Sequence, residues 1–88
     1  MRGEVVLTLE DRHRAIVRID EDDFAVLQLV PSTPVSQAEV IGGMLRTHGI
    51  VRLSNWTRRV HFYAIVMASG CSFQTAFRIA FDDELLLC

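Results

Sequence analysis

Between Glu4 and Val30 the chain runs through one pattern three times: EVVLTL, RAIVRI and FAVLQLV, with EDRH and DEDD as the breaks. The runs are rich in β-branched and apolar residues, which suit a pleated, half-buried surface, so each reads as a strand. In the second run Ala15, Val17 and Ile19 alternate with Ile16 and Arg18. That is the period of two that sends neighbours to opposite faces. Asp20 to Asp23 then form a hairpin connection, where aspartate tolerates turn geometry and solvent. Whatever the rest of the chain does, it must pack onto this three-strand meander.

There is room for one domain, residues 1–88. A domain of this size buries only about 60–65% of its unfolded surface. Half of the residues are nevertheless hydrophobic and 23% are charged, which excludes a disordered chain. Apolar surface is left over for a partner, and a homodimer or a protein partner is expected.

After the meander, Pro31 and Pro34 bracket a loop, PSTP. SQAEVIGGMLRTHG then admits two readings. As a helix it starts at Ser36, with Glu39 completing a capping box. The adjacent Gly42 and Gly43 oppose this, at about 1 kcal/mol each in a helix interior. As a strand, AEVIGGMLR passes two glycines where the backbone bends or is closely approached. The stretch GIVRLSNWTRRVHFYAIVMASG, residues 49–70, has the same ambiguity. RVHFYAIVMA as a helix is apolar all round and demands full burial. As a strand paired with IVRLSN across an SNWT turn, it sorts. Val60, Phe62, Ala64 and Val66 fall on one face, and Arg59, His61, Tyr63 and Ile65 on the other. On the partner strand Val51 and Leu53 oppose Ile50, Arg52 and Ser54.

From Ser72, an N-cap, a helix is expected, with Phe73, Ala76, Phe77 and Ala80 at helical spacing and an end near Phe81, before Asp82 and Asp83. The fold class is therefore α+β, mainly β. The meander extends to a small bent sheet or barrel of about six strands, and the C-terminal helix covers one end with Phe73 and Phe77. The alternative is a β-meander followed by a three-helix bundle.

Charge is unevenly spread behind a net of −2. Residues 1–39 carry four arginines against eight acids. Residues 40–81 carry five arginines and no acid, and residues 82–88 carry three acids. A basic middle of this kind fits an anionic partner. In the hairpin reading Arg52, Arg59, His61 and Tyr63 share a face, with Trp56 and Arg58 at the turn. Guanidinium groups neutralise phosphates and flat rings stack on bases, so these six residues are the candidate nucleic-acid-binding site. An ordinary solvated sheet face, stabilised by cross-strand pairs, has the same composition.

GCSFQTAFRIA, residues 70–80, resembles the second half of a DNA-binding helix-turn-helix, with a turn glycine, a capping serine, then Thr75, Ala76 and Arg78. The resemblance implies a helical DNA reader over residues 58–80. It departs from the motif at Val66, where a small residue is usual, and at Phe73 and Phe77, which would fall on the base-reading face.

Cys71 and Cys88 form no paired framework, which fits a reducing, cytoplasmic setting. Cys71 precedes a helix start, where a thiolate is favoured, but no spacing supplies a base to make it a nucleophile. The start, MRGEVVL, has no apolar run of leader length, and no run approaches the ~20 residues of a membrane helix. His13, His48 and His61 have no ligand spacing, and Asp20 to Asp23 lack the glycine and glutamate of a calcium loop. Phosphate-binding glycine loops and nucleophile elbows are absent. No metal, no cofactor and no enzymatic activity are expected.

Overall fold

A computed structural model describes residues 1–81. Its elements are β1 (Arg2–Leu9), β2 (Arg14–Asp20), β3 (Asp23–Leu29), β4 (Val40–Gly43), β5 (Gly49–Asn55), β6 (Val60–Cys71) and α1 (Phe73–Phe81). The protein is mainly β: six antiparallel strands close into a barrel in the order β1-β2-β3-β6-β5-β4, and one helix follows. The chain from 40 to 71 forms strands, so the three-helix alternative is overturned. Apolar residues that would have had to be buried all round a helix instead alternate across β6. Asp82, Asp83 and Cys88 lie outside the described residues.

The barrel interior takes alternate side chains from every strand. Val5, Ala15, Val17, Leu27, Leu29, Ile41, Leu53, Phe62, Ala64 and Val66 fill it, joined by Leu45 from the β4–β5 connection. Closing so few strands requires strong curvature, and register shifts that place extra residues in β1, β2 and β6 supply it. β6 is long enough to serve two neighbours. Its first half pairs with β5, from Asn55↔Val60 to Gly49↔Val66, and its second half reaches Phe24↔Cys71 on β3.

The helix does not plug the barrel end, as the phenylalanine spacing suggested. It lies on the outer side of the wall, where Ala76 and Ala80 pack with Leu9, Ile16, Phe24 and Val26 in a second core. Alanines let the helix backbone approach the sheet closely, and the phenylalanines are left at the flank. Phe73 meets Phe24 edge-on at 5.4 Å, then Phe73, Phe77 and Phe81 contact one another along the helix, each still more than two-fifths exposed. Both faces of the β2 segment Arg14–Val17 and the β3 segment Phe24–Leu27 are consequently buried. Ile16, which shares its face of β2 with Arg18, is covered by α1.

Each helix end has a side-chain partner. Ser72 Oγ accepts the Thr75 amide at 3.3 Å, the expected N-cap. At the other end the buried Arg14 donates to the Ala80 carbonyl at 3.0 Å, and to Gln28 Oε1 at 2.9 Å. A cation beside the last carbonyls suits the helix dipole.

Ala76 is fully buried between α1 and the wall. Ala76→Leu should therefore lower stability by about 1–3 kcal/mol through overpacking. Urea unfolding measures this, and an unchanged midpoint would mean that the helix is not seated through its alanine face.

Candidate nucleic-acid interface

The β5–β6 hairpin is registered as its sequence pattern requires from His61 to Val66, but Val60, expected on the inner face, is 37% exposed beside the turn. Leu53 faces Phe62 inside the barrel, while Arg52 faces Tyr63 and Ser54 faces His61 on the outside. Ile50 and Ile65 form the next outward pair. Ser54 Oγ and His61 Nδ1 share a hydrogen bond of 2.8 Å. Arg52, His61 and Tyr63 are thus brought together on one exposed face. Arg59 sits in the turn, exposed, with a left-handed φ of 59°.

Arg58 is diverted from that face. Its Nε donates to Glu39 Oε2 at 2.5 Å and its Nη2 to Ser36 Oγ at 2.7 Å. Glu39 is buried and holds several donors at once. Its Oε1 also accepts the Ser36 amide at 2.6 Å and Asn55 Nδ2 at 3.1 Å. Asn55, fully buried, donates to the Pro34 carbonyl at 3.0 Å and accepts the Arg58 amide at 3.1 Å. The turn is thereby locked to the loop before β4. One backbone link and one side-chain link finish the lock: the Trp56 amide donates to the Val40 carbonyl, and the Val40 amide to Thr57 Oγ1. Ser36 and Glu39 make one half of the capping box, Glu39 Oε1 accepting the Ser36 amide, but the Glu39 amide donates to the Ser36 carbonyl and not to Oγ, around a turn and not a helix.

Burial by itself would raise the Glu39 carboxyl. The hydrogen bonds from Arg58, Asn55 and the Ser36 amide, with the Arg58 charge, outweigh it and hold the group below the usual glutamate value.

Trp56 is half-exposed at 50%, with its indole lying against Gly42. A Cβ at Gly42 would come within 2.5 Å of Nε1, Cε2 and Cζ2 of the ring. Gly43 has φ +133°, a conformation that L side chains rarely adopt. Both glycines are thus explained, one by close approach and one by backbone conformation.

Electrostatics narrow the basic middle. Arg46 pairs with Asp23 and Arg58 with Glu39, both acids of the N-terminal half. Arg52 and Arg59 have no acid partner among the described residues, and neither do Arg2 and Arg78. Arg2 pairs with Gly42 in the ladder, so its strand position adjoins the Trp56 ring. The candidate surface therefore rests on Arg52, Arg59, His61, Tyr63 and Trp56, with Arg58 serving the scaffold. Sequence spacing had no means of finding Glu39 or Asn55 as the residues that position the turn, because their contacts are made by folding.

Other chemistry is weakly supported. Burial raises the Cys71 thiol, and the Asp23 charge raises it further, the opposite of an activated nucleophile. Among the described residues no three His, Cys, Asp or Glu side chains gather to hold a metal, and no helix is long and apolar enough to cross a membrane. The segment that would supply the first helix of a helix-turn-helix is turn and β6, leaving α1 without its expected neighbour. Comparison with protein-family models, curated proteins and solved structures gave no match.

Two outcomes follow. The lowered Glu39 carboxyl means that folding favours its ionised form. That stabilisation is present at neutral pH, declines as pH falls through the ordinary glutamate range, and is lost below the folded value. Glu39→Gln should cost about 2 kcal/mol at neutral pH, the scale of charge-assisted bonds, and should flatten the acid limb of stability against pH. An unaltered acid limb would assign that limb to other groups. Gly42→Ala should push the indole off its seat, shifting Trp56 emission to the red. Emission identical to the parent would show that the ring does not rest there.

Proposed function

We propose that this protein is a non-enzymatic binding module that holds single-stranded nucleic acid on the outer face of the β5–β6 hairpin. The observation that carries this reading is the pair Arg52 and Arg59, without acid partners among the described residues, beside the exposed Tyr63 and the half-exposed Trp56. The arginines hold phosphates and the two rings offer stacking faces, as small barrels that bind single strands require. His61 is fixed by Ser54 beside Tyr63 and adds a polar contact. A base pair buries its ring faces in the duplex stack, so these rings serve an open strand.

A second reading, self-association, is supported by the ridge of Phe73, Phe77 and Phe81 on α1. It lies over the meander, on a different stretch of the outer wall from the hairpin face, and both properties can coexist in one molecule.

Titration of Trp56 fluorescence with a short single-stranded oligonucleotide tests the first reading. Saturable quenching at low salt is expected. For two phosphate contacts, log affinity should fall against log salt with a slope of about −1.4. Arg52→Gln should reduce that slope by about 0.7. No binding at low salt would reject the proposal.

A further inference from the structure

Next to Arg52, the outer face opens into a small apolar hollow. Ile50 and Ile65 stand directly opposite one another on β5 and β6, Tyr63 is two residues along β6, and Val30 closes the β3 side. Its volume is about 160 Å³, roughly that of five water molecules. This admits one pyrimidine ring with its substituents and is too small for a base pair.

The walls are carbon apart from the Tyr63 hydroxyl and the Gln28 amide. Gln28 adjoins the hollow, but its polar atoms are already engaged: Nε2 donates to the Arg12 and His13 carbonyls, and Oε1 accepts from Arg14. The backbone on both sides of β6 is held in the ladders to β3 and β5. Little is left there to read the hydrogen-bonding edge of a base. What the hollow offers is the Tyr63 ring as a stacking surface and branched aliphatic side chains around it. Such a surface distinguishes bases by apolar contact, and the C5 methyl of thymine is the base group that rewards it. Arg52 is the direct cross-strand partner of Tyr63 and has no acid partner among the described residues, so a phosphate attached to the seated base meets a cation.

We infer that this hollow, lined by Val30, Ile50, Tyr63 and Ile65, seats one unpaired thymine of a single DNA strand, with Arg52 on its phosphate. The inference rests on the nucleic-acid reading of the hairpin face and adds the base and its seat. It is a preference and not a code, because one methyl group supplies it.

The test uses oligothymidylate and oligodeoxyuridylate of equal length, each end-labelled and followed by fluorescence anisotropy at low salt. The two strands carry the same phosphates and differ at the C5 methyl. Thymine should bind about fourfold tighter, the value of one buried methyl group. Ile50 is 76% exposed, so Ile50→Ser leaves the core intact. That variant should abolish the preference while the dependence on salt persists. Equal affinities for both strands, with Ile50→Ser inert and Trp56 still responding, would overturn the thymine seat and leave the broader reading standing. No binding of either strand would remove both. A dimer that Ile50→Ser converts to monomer in sedimentation would assign the hollow to a second copy of the chain, and so overturn the inference.

Discussion

The buried Glu39 carboxylate is the contact on which barrel closure and the candidate surface both depend. β4 is the shortest strand, with only three register pairs to β1 and three to β5. Backbone pairing alone makes it the weakest stave of the barrel. Glu39 immediately precedes it and gathers Ser36, Asn55 and Arg58 onto one pair of oxygens. Those donors come from the loop before β4, the end of β5 and the β5–β6 turn. One carboxylate thus fixes the entry to β4 against the hairpin that β4 must pair with. A buried charge is costly to desolvate, and it is tolerated here because charged and neutral donors meet it together.

The same contact explains how the uneven charge of the sequence is used. The acidic N-terminal half and the basic middle are not two independent surfaces. Asp23 takes Arg46, and Glu39 takes Arg58, so two of the five arginines between residues 40 and 81 are spent within the fold. What remains on the hairpin is Arg52 and Arg59. This is a modest cationic face, suited to a short strand whose phosphates pass singly and not to the dense charge of a duplex groove. The rings beside it matter correspondingly more, since stacking is worth about 1–3 kcal/mol per base.

Local pattern was enough to read the strands and their faces. The meander is legible because β-branched runs alternate between turn residues, and the hairpin because Phe62, Ala64 and Val66 can reach the interior only if His61, Tyr63 and Ile65 point out. The helix start is legible from Ser72 for the same local reason. Long-range partners are not written in any spacing. Arg14 reaches the Ala80 carbonyl across 66 residues, and Asn55 reaches Glu39 across 16. The Ser36–Glu39 pair shows the limit most sharply. The Glu39 carboxylate takes the Ser36 amide as the spacing suggests, but that hydrogen bond serves a turn as well as a helix. Arg58 illustrates the consequence for the site. Its residue type suggested phosphate binding, while its neighbours in space gave it a scaffold role.

The position of α1 decides which part of the sheet is available to a ligand. Ala76 and Ala80 bring the helix onto the outer side of β2 and β3, and Met67, Ala68 and Cys71 extend the contact to the second half of β6. β6 is therefore divided along its length. Its distal half lies under the helix, and its proximal half, from Val60 to Ile65, keeps its outward side chains in solvent. A phenylalanine at position 76 or 80 would hold the helix away from the wall and leave Ile16 and Val26 uncovered. Small residues facing the wall, with large ones displaced to the flank, allow a single short helix to complete the second core. The hairpin face is left open because the one helix among the described residues is committed to the meander side. Exposure of Tyr63, Ile50 and Arg52 is thus a consequence of the packing that stabilises the fold, and the surface proposed to bind a strand is the part of the barrel that this packing does not use.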